Sequence, residues 1–265
     1  MSLFLPLIAA SFAAEPEFAE TDKSLEEAEA VQLKLSAEAG ASWTTGNTDF
    51  YTGQGTLMGS ARWSANKVSA QAGALYGKGY ADLDADGVLG EDERKERLES
   101  ARRFFADARY DRFLNDKNSL YVLGGALQDR FAGYDRRTHE QLGYSRVLVA
   151  SATTHAVAEL GVDFAQEDYV AGVDPSAANI LAGRVMLGMS QAFNERVGVA
   201  EQVEVYENVL DLADLRVLNT ASLNVGLSQK LSLKLSHQLL FDNVPVSGFQ
   251  KLDQTTMLTL VVGVL

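Results

Sequence analysis

The sequence predicts an all-β protein, a closed antiparallel up-and-down transmembrane β-barrel of about twelve strands, and three observations carry that expectation. The first is unbroken alternation. Val31, Leu33, Leu35, Ala37, Ala39, Ala41 and Trp43 fall on one face of a strand, and Gln32, Lys34, Ser36, Glu38, Gly40 and Ser42 on the other. This run exceeds the five or six residues usual in soluble sheets and meets the roughly 9–11 that a tilted strand needs to cross a bilayer. The second is recurrence: the same period marks strands near 31–45, 50–65, 67–80, 100–114, 117–131, 139–151, 153–167, 179–193, 195–208, 214–228, 230–242 and 254–265. The third is the connections, which alternate between short turns (64–67, 115–118, 151–153, 194–196, 229–230) and longer loops (45–49, 79–99, 132–138, 168–178, 209–213, 243–253). Bacterial outer-membrane barrels have an even strand number, tight periplasmic turns and longer extracellular loops. Both termini are therefore expected on the periplasmic side.

Residues 1–13 form a short apolar stretch ending in Ser11 and Ala13, the small residues a signal peptidase requires, although no Lys or Arg precedes Lys23. They read as a signal peptide. Residues 14–30 read as an acidic periplasmic tail, with Ser24 and Glu27 spaced as a capping box. In the outward phase of the strands, Trp43, Tyr80, Phe104, Phe164 and Phe241 are placed near the extracellular ends, and Trp63, Tyr110, Tyr121 and Phe193 near the periplasmic ends, as two aromatic girdles. The opposite phase holds Lys34, Glu38, Arg62, Arg103, Asp107, Arg109, Asp111, Glu159, Asp163, Arg184, Glu204 and Lys234, six bases and six acids. A closed barrel with such an interior must hold water or pair its charges. Arg146, Glu201 and His237 fall in the outward phase, which requires bulges, snorkelling near an interface, or contact with a partner.

The loop between the third and fourth strands carries the most specific chemical motif. Residues 82–93 match an EF-hand loop: Asp82, Asp84 and Asp86 at positions one, three and five, Gly87 at the sharp turn, the Val88 carbonyl at seven and Glu93 at twelve. Calcium takes six to eight hard oxygens, which four carboxylates, one carbonyl and water supply. Only the exit side, 91–100, reads as a helix, and Gly77-Lys78-Gly79-Tyr80 reads as a strand end. The expected ligand is calcium, in an extracellular loop able to bridge to lipopolysaccharide phosphates.

Three segments resemble the salt-induced outer-membrane protein family, bacterial barrels of undefined function: Ser42-Trp43-Thr44-Thr45-Gly46-Asn47-Thr48-Asp49, Phe241-Asp242-Asn243-Val244-Pro245 and Gly248-Phe249-Gln250-Lys251-Leu252-Asp253. The resemblance covers residues 31–265 and implies an outer-membrane location in a Gram-negative bacterium, with the barrel-assembly machinery as a partner during biogenesis. Members usually end in an aromatic residue, whereas this chain ends in Leu265, and the acidic insertion before strand four is a second departure. The family supplies no catalytic or binding residues.

A net charge of −13 and the absence of Lys/Arg clusters interleaved with aromatics argue against nucleic-acid binding, and the lack of Cys excludes thiol chemistry. Twelve strands enclose a lumen between those of a filled eight-stranded barrel and an open sixteen-stranded porin. The expected function is a narrow passive channel or a structural component of the envelope. One alternative is a soluble periplasmic ligand carrier, because alternation does not say which face lies inside. Another is a lipid-face hydrolase built on His237, but the register expected there sets Ala221 or Leu223 opposite, with Asn219 nearby and no Ser or Asp. His139 and His155 read as surface residues at a loop edge and a periplasmic turn. The expectation is no enzyme.

Overall fold

A computed structural model describes residues 31–44, 50–80, 98–173, 175–247 and 249–264. Twelve strands follow one another: β1 (Gln32–Thr44), β2 (Phe50–Trp63), β3 (Asn66–Gly79), β4 (Leu98–Asn115), β5 (Asn118–Asp129), β6 (Tyr134–Ala150), β7 (Thr154–Tyr169), β8 (Ala177–Ala192), β9 (Val197–Asn208), β10 (Leu215–Gly226), β11 (Leu231–Asp242) and β12 (Leu252–Gly263). Each pairs antiparallel with its neighbours in sequence, and β12 returns to β1 to close the barrel. The expected architecture is the one observed.

Register decides which face is wet. Gln32 stands opposite Arg62, and the pairing runs one-to-one to Thr44 opposite Phe50. A slip of one residue would turn every side chain to the other face. The result is inverted relative to a soluble protein. Arg109, Asp111, Glu159, Arg184 and Glu204 are buried inside, while Leu142, Leu160, Val162 and Leu187 on the outer face are each more than half exposed. Register shifts occur at Gly77/Lys78, Phe113/Asn115, Leu127/Asp129, Tyr134/Arg136 and Val147/Val149. All lie towards strand ends, so mid-barrel ladders stay regular.

The turn β2–β3 is the two-residue Ser64-Ala65, and Ser64 takes φ of 45°, the mirror-turn conformation that fits strand twist. The closing seam is shorter than the other pairings. Among the described residues, β1 and β12 pair over five positions, Ser36–Gly40 with Gly263–Thr259, and Val264 N adds a bond to Leu35 O.

One strand starts earlier than its apolar alternation indicates. β6 begins at Tyr134, and its first turn, Asp135-Arg136-Arg137, pairs with β7 through Arg136 and Asp168 at 2.6 Å. Ion pairs replace the apolar alternation at this strand end. Between β11 and β12 the loop turns inward. Val246 is buried against Gly133 of the β5–β6 loop, where a Cβ on Gly133 would lie 3.0 Å from Val246. Gly133 also has φ of 90°, so glycine suits this position twice over.

Candidate functional site: a charged lattice across the lumen

Inward parity delivers one polar side chain from every second residue, and the barrel's curvature brings distant strands together. In the half of the barrel nearer the short turns, Arg109 of β4 reaches across β5 and β6 to Glu159 of β7, with Nη2 to Oε1 at 2.7 Å and Nη1 to Oε2 at 3.1 Å. The same guanidinium holds Asp111 at 2.7 Å. Glu159 then accepts from Arg184 Nη1 of β8 at 2.8 Å, and Arg184 Nη2 bonds Glu204 of β9 at 2.7 Å. Glu204 also accepts from Tyr206 OH at 2.6 Å and from Gln202 Nε2 at 2.7 Å. These charged side chains are at most 2% exposed, so no water-wide path touches them. Bidentate guanidinium–carboxylate bonds satisfy both partners, which is what permits the burial.

Tyr121 of β5 organises this lattice. Its ring lies under Arg109, 4.1 Å from the guanidinium carbon, and its hydroxyl accepts from Arg184 Nη1 at 2.8 Å. The ring fits there because β6 and β7 offer no side chain beneath it. A Cβ on Gly143 would meet Tyr121 Cζ and OH at 2.5 Å, and one on Gly161 would meet the hydroxyl at 2.8 Å. On the opposite wall, Lys234 Nζ of β11 sits 2.5 Å from both carboxylate oxygens of Glu38 on β1. Arg62 stacks over Phe113 at 4.5 Å.

Two further layers stand above. His139 Nε2 lies 3.2 Å from Asp107 Oδ1 and its Nδ1 lies 3.5 Å from Asp163 Oδ1, with Gln71 donating to Asp107 at 3.1 Å. Towards the long-loop end, Arg216 of β10 binds Glu167 of β7 at 2.5 Å, Asp214 at 3.0 Å and Asp242 at 3.2 Å. Arg137 approaches Glu167 at 3.3 Å, and Tyr169 OH donates to it at 2.8 Å. A small recess lined by Arg137, Asp163, Tyr206, Asn208, Asp214 and Arg216 lies between these layers.

Three sequence-derived placements need correction. Tyr121 is not an outward girdle residue: it is 1% exposed and points inward, because Leu120 and Val122 take the outer face. His139 is not at a loop edge, since the early start of β6 puts it inside the lumen between two aspartates. His155 is half-buried on the inner face of β7 and not at the surface. The twelve charged residues expected inside do lie on inward positions, whereas the calcium-loop residues Asp82, Asp84, Asp86, Val88 and Glu93, with residues 1–30, lie outside the described residues. On the outer face, His237 stands opposite Ala221, and its Nδ1 lies 2.8 Å from Thr256 Oγ1. Among the described residues, no carboxylate bonds that ring.

The model of a family described as a protein of unknown function, DUF481, matches residues 37–264. The chain belongs to the DUF481 family. No curated protein matches it in sequence. Among solved structures, the NanC porin is similar at a TM-score of 0.51 and 11% identity, covering 88% of this chain and 100% of the porin. An outer membrane channel from Pseudomonas putida F1 aligns at a TM-score of 0.48 and 12% identity, covering 92% of this chain and 100% of the channel. At such identity the NanC likeness shows the fold of this DUF481 member, and the fold alone.

Proposed function

We propose that this DUF481 protein is an outer-membrane barrel of a Gram-negative bacterium, a narrow passive channel whose lumen is held shut by its charged lattice in the conformation described. One observation carries the reading: paired charges fill the inside while large aliphatic side chains cover the outside. Exposed apolar area on that scale suits lipid and opposes a soluble periplasmic carrier. The segments around Gly46-Asn47-Thr48 and Gly248-Phe249-Gln250 support kinship with the salt-induced outer-membrane proteins. The refolded chain is expected to partition with outer membranes and to migrate faster on gels before heating than after. In planar bilayers it is expected to show near-zero ionic current, because a lumen closed by ion pairs gives ions no hydrated path. Steady porin-like steps would refute the closed lattice, and loss of heat-modifiable mobility would refute the membrane barrel.

The acidic loop supports calcium binding by Asp82, Asp84, Asp86, the Val88 carbonyl and Glu93. Extracellular calcium modules function at roughly 10⁻⁴–10⁻³ M, so a weak site suffices there. Terbium luminescence should rise on wild type and fail on the Asp82→Ala, Glu93→Gln chain. Equal responses would dispose of the site.

A further inference from the structure

We infer that the outer wall formed by β9–β12 is an interface between two copies of this chain, related by a two-fold axis along the membrane normal. The inference rests on the membrane reading above. On β1–β8, the outward positions along the middle of the strands hold Ala, Gly, aliphatic and aromatic residues, with Arg146 and Glu140 of β6 and Gln128 of β5 as polar ones nearer the strand ends. On β9–β12 the outward polar side chains gather on adjacent strands: Glu201, Asn219, His237 and Thr256, with Gln254 nearer the start of β12. Glu201, Ala221, His237 and Thr256 form one row of the sheet, each opposite the next.

Local distortion does not account for the row, because the β9–β10, β10–β11 and β11–β12 registers run unbroken through it. Nor does escape to an interface account for His237, which stands in the middle of β11, with Leu235 and Leu239 on either side of it on the same face. Inside the chain the row satisfies only half its capacity. Asn219 Nδ2 donates to Glu201 Oε1 at 3.1 Å and His237 Nδ1 meets Thr256 Oγ1 at 2.8 Å. Among the described residues, Glu201 Oε2 and His237 Nε2 have no hydrogen-bond partner. Hydrocarbon gives such atoms nothing to bond, whereas protein does.

Charge complementarity selects a second copy as that protein. The acid and the base flank Ala221, one strand to each side. Rotation about an axis in front of Ala221 sets Glu201 of each copy towards His237 of the other, so the patch is its own complement, as an isologous interface requires. Ala221 then faces its own symmetry mate.

The natural chain has no Cys, so a single Ala221→Cys thiol is unambiguous. Refolded into neutral phosphatidylcholine vesicles and oxidised, Ala221→Cys is expected to shift to a disulfide-linked band of doubled mass, and Leu160→Cys, on the outer face of β7, to remain single. Adding Glu201→Gln with His237→Ala to Ala221→Cys should abolish that shift. Equal cross-linking at both sites, or none at Ala221→Cys in a chain that keeps heat-modifiable mobility, would overturn the inference while leaving the barrel reading intact. Loss of that mobility in wild type would instead remove the membrane reading itself. Single-molecule photobleaching of labelled wild-type chains in supported bilayers gives an independent count, with two steps expected and one step decisive against.

Discussion

Replacing Arg184 by Ala is expected to lower the unfolding free energy by about 3–5 kcal/mol, because it strips one cation from between two buried carboxylates. Arg184 bonds Glu159, Glu204 and Tyr121, and its side chain is 1% exposed. Without it Glu159 keeps Arg109, while Glu204 loses its guanidinium and keeps the neutral donors Tyr206 and Gln202. The remaining lattice then has three carboxylates, Asp111, Glu159 and Glu204, against one guanidinium, Arg109. Water and cations should enter to balance them. The variant is therefore expected to conduct in planar bilayers where wild type does not, and to prefer cations. The double variant Arg184→Gln with Glu204→Gln removes a partner of each sign and should recover much of the stability with little conductance. Urea unfolding in vesicles, read by heat-modifiable mobility, measures the first effect, and reversal potentials under a salt gradient measure the second. A silent, fully stable Arg184→Ala would show that the lattice neither holds nor closes the lumen.

The barrel was legible in the chain because its physics is one-dimensional. Alternation, strand length and the order of short and long connections are all local, and together they placed β1, β2, β3 and β11 within two residues of their observed ends. The start of β6 was not legible, since Tyr134 to Arg137 obeys ion pairing with β7 instead of apolar alternation. The same missing signal hid His139, which an apolar-period reading leaves at a loop edge.

The lumen was legible as a set of residues and illegible as a set of pairs. Parity alone put Arg109, Glu159, Arg184 and Glu204 inside. That Arg109 meets Glu159, three strands away, depends on stagger and curvature, which no local pattern carries. Tyr121 failed for another reason. Leu120, Tyr121, Val122 and Leu123 are apolar on both faces, so the strand has no phase of its own, and the signal lay in partner strands at Gly143 and Gly161.

Those two glycines make the second large effect. Gly143→Val is expected to cost about 3 kcal/mol, the upper end of overpacking a filled interior, since the new side chain must occupy the space of the Tyr121 ring. The ring cannot retreat without leaving Arg109, which it faces at 4.1 Å, and Arg184, whose Nη1 it accepts. A desolvated cation–aromatic contact contributes about 2 kcal/mol or more, so displacement also loosens the two guanidiniums. The energetics should be non-additive. Tyr121→Ala alone leaves a cavity over Gly143 and an unmet Arg184 donor, costing about 3–5 kcal/mol. In that background Gly143→Val fills the vacated space, so its further cost should fall to under about 1 kcal/mol. A double-mutant cycle by urea unfolding in vesicles measures the coupling directly. If the two penalties simply add, the ring and the glycine are not in competition, and the aromatic shelf is not what positions Arg109 and Arg184. If they cancel as expected, the double variant should also leak ions, because the shelf is filled while both guanidiniums have lost the face and hydroxyl that aimed them across the lumen.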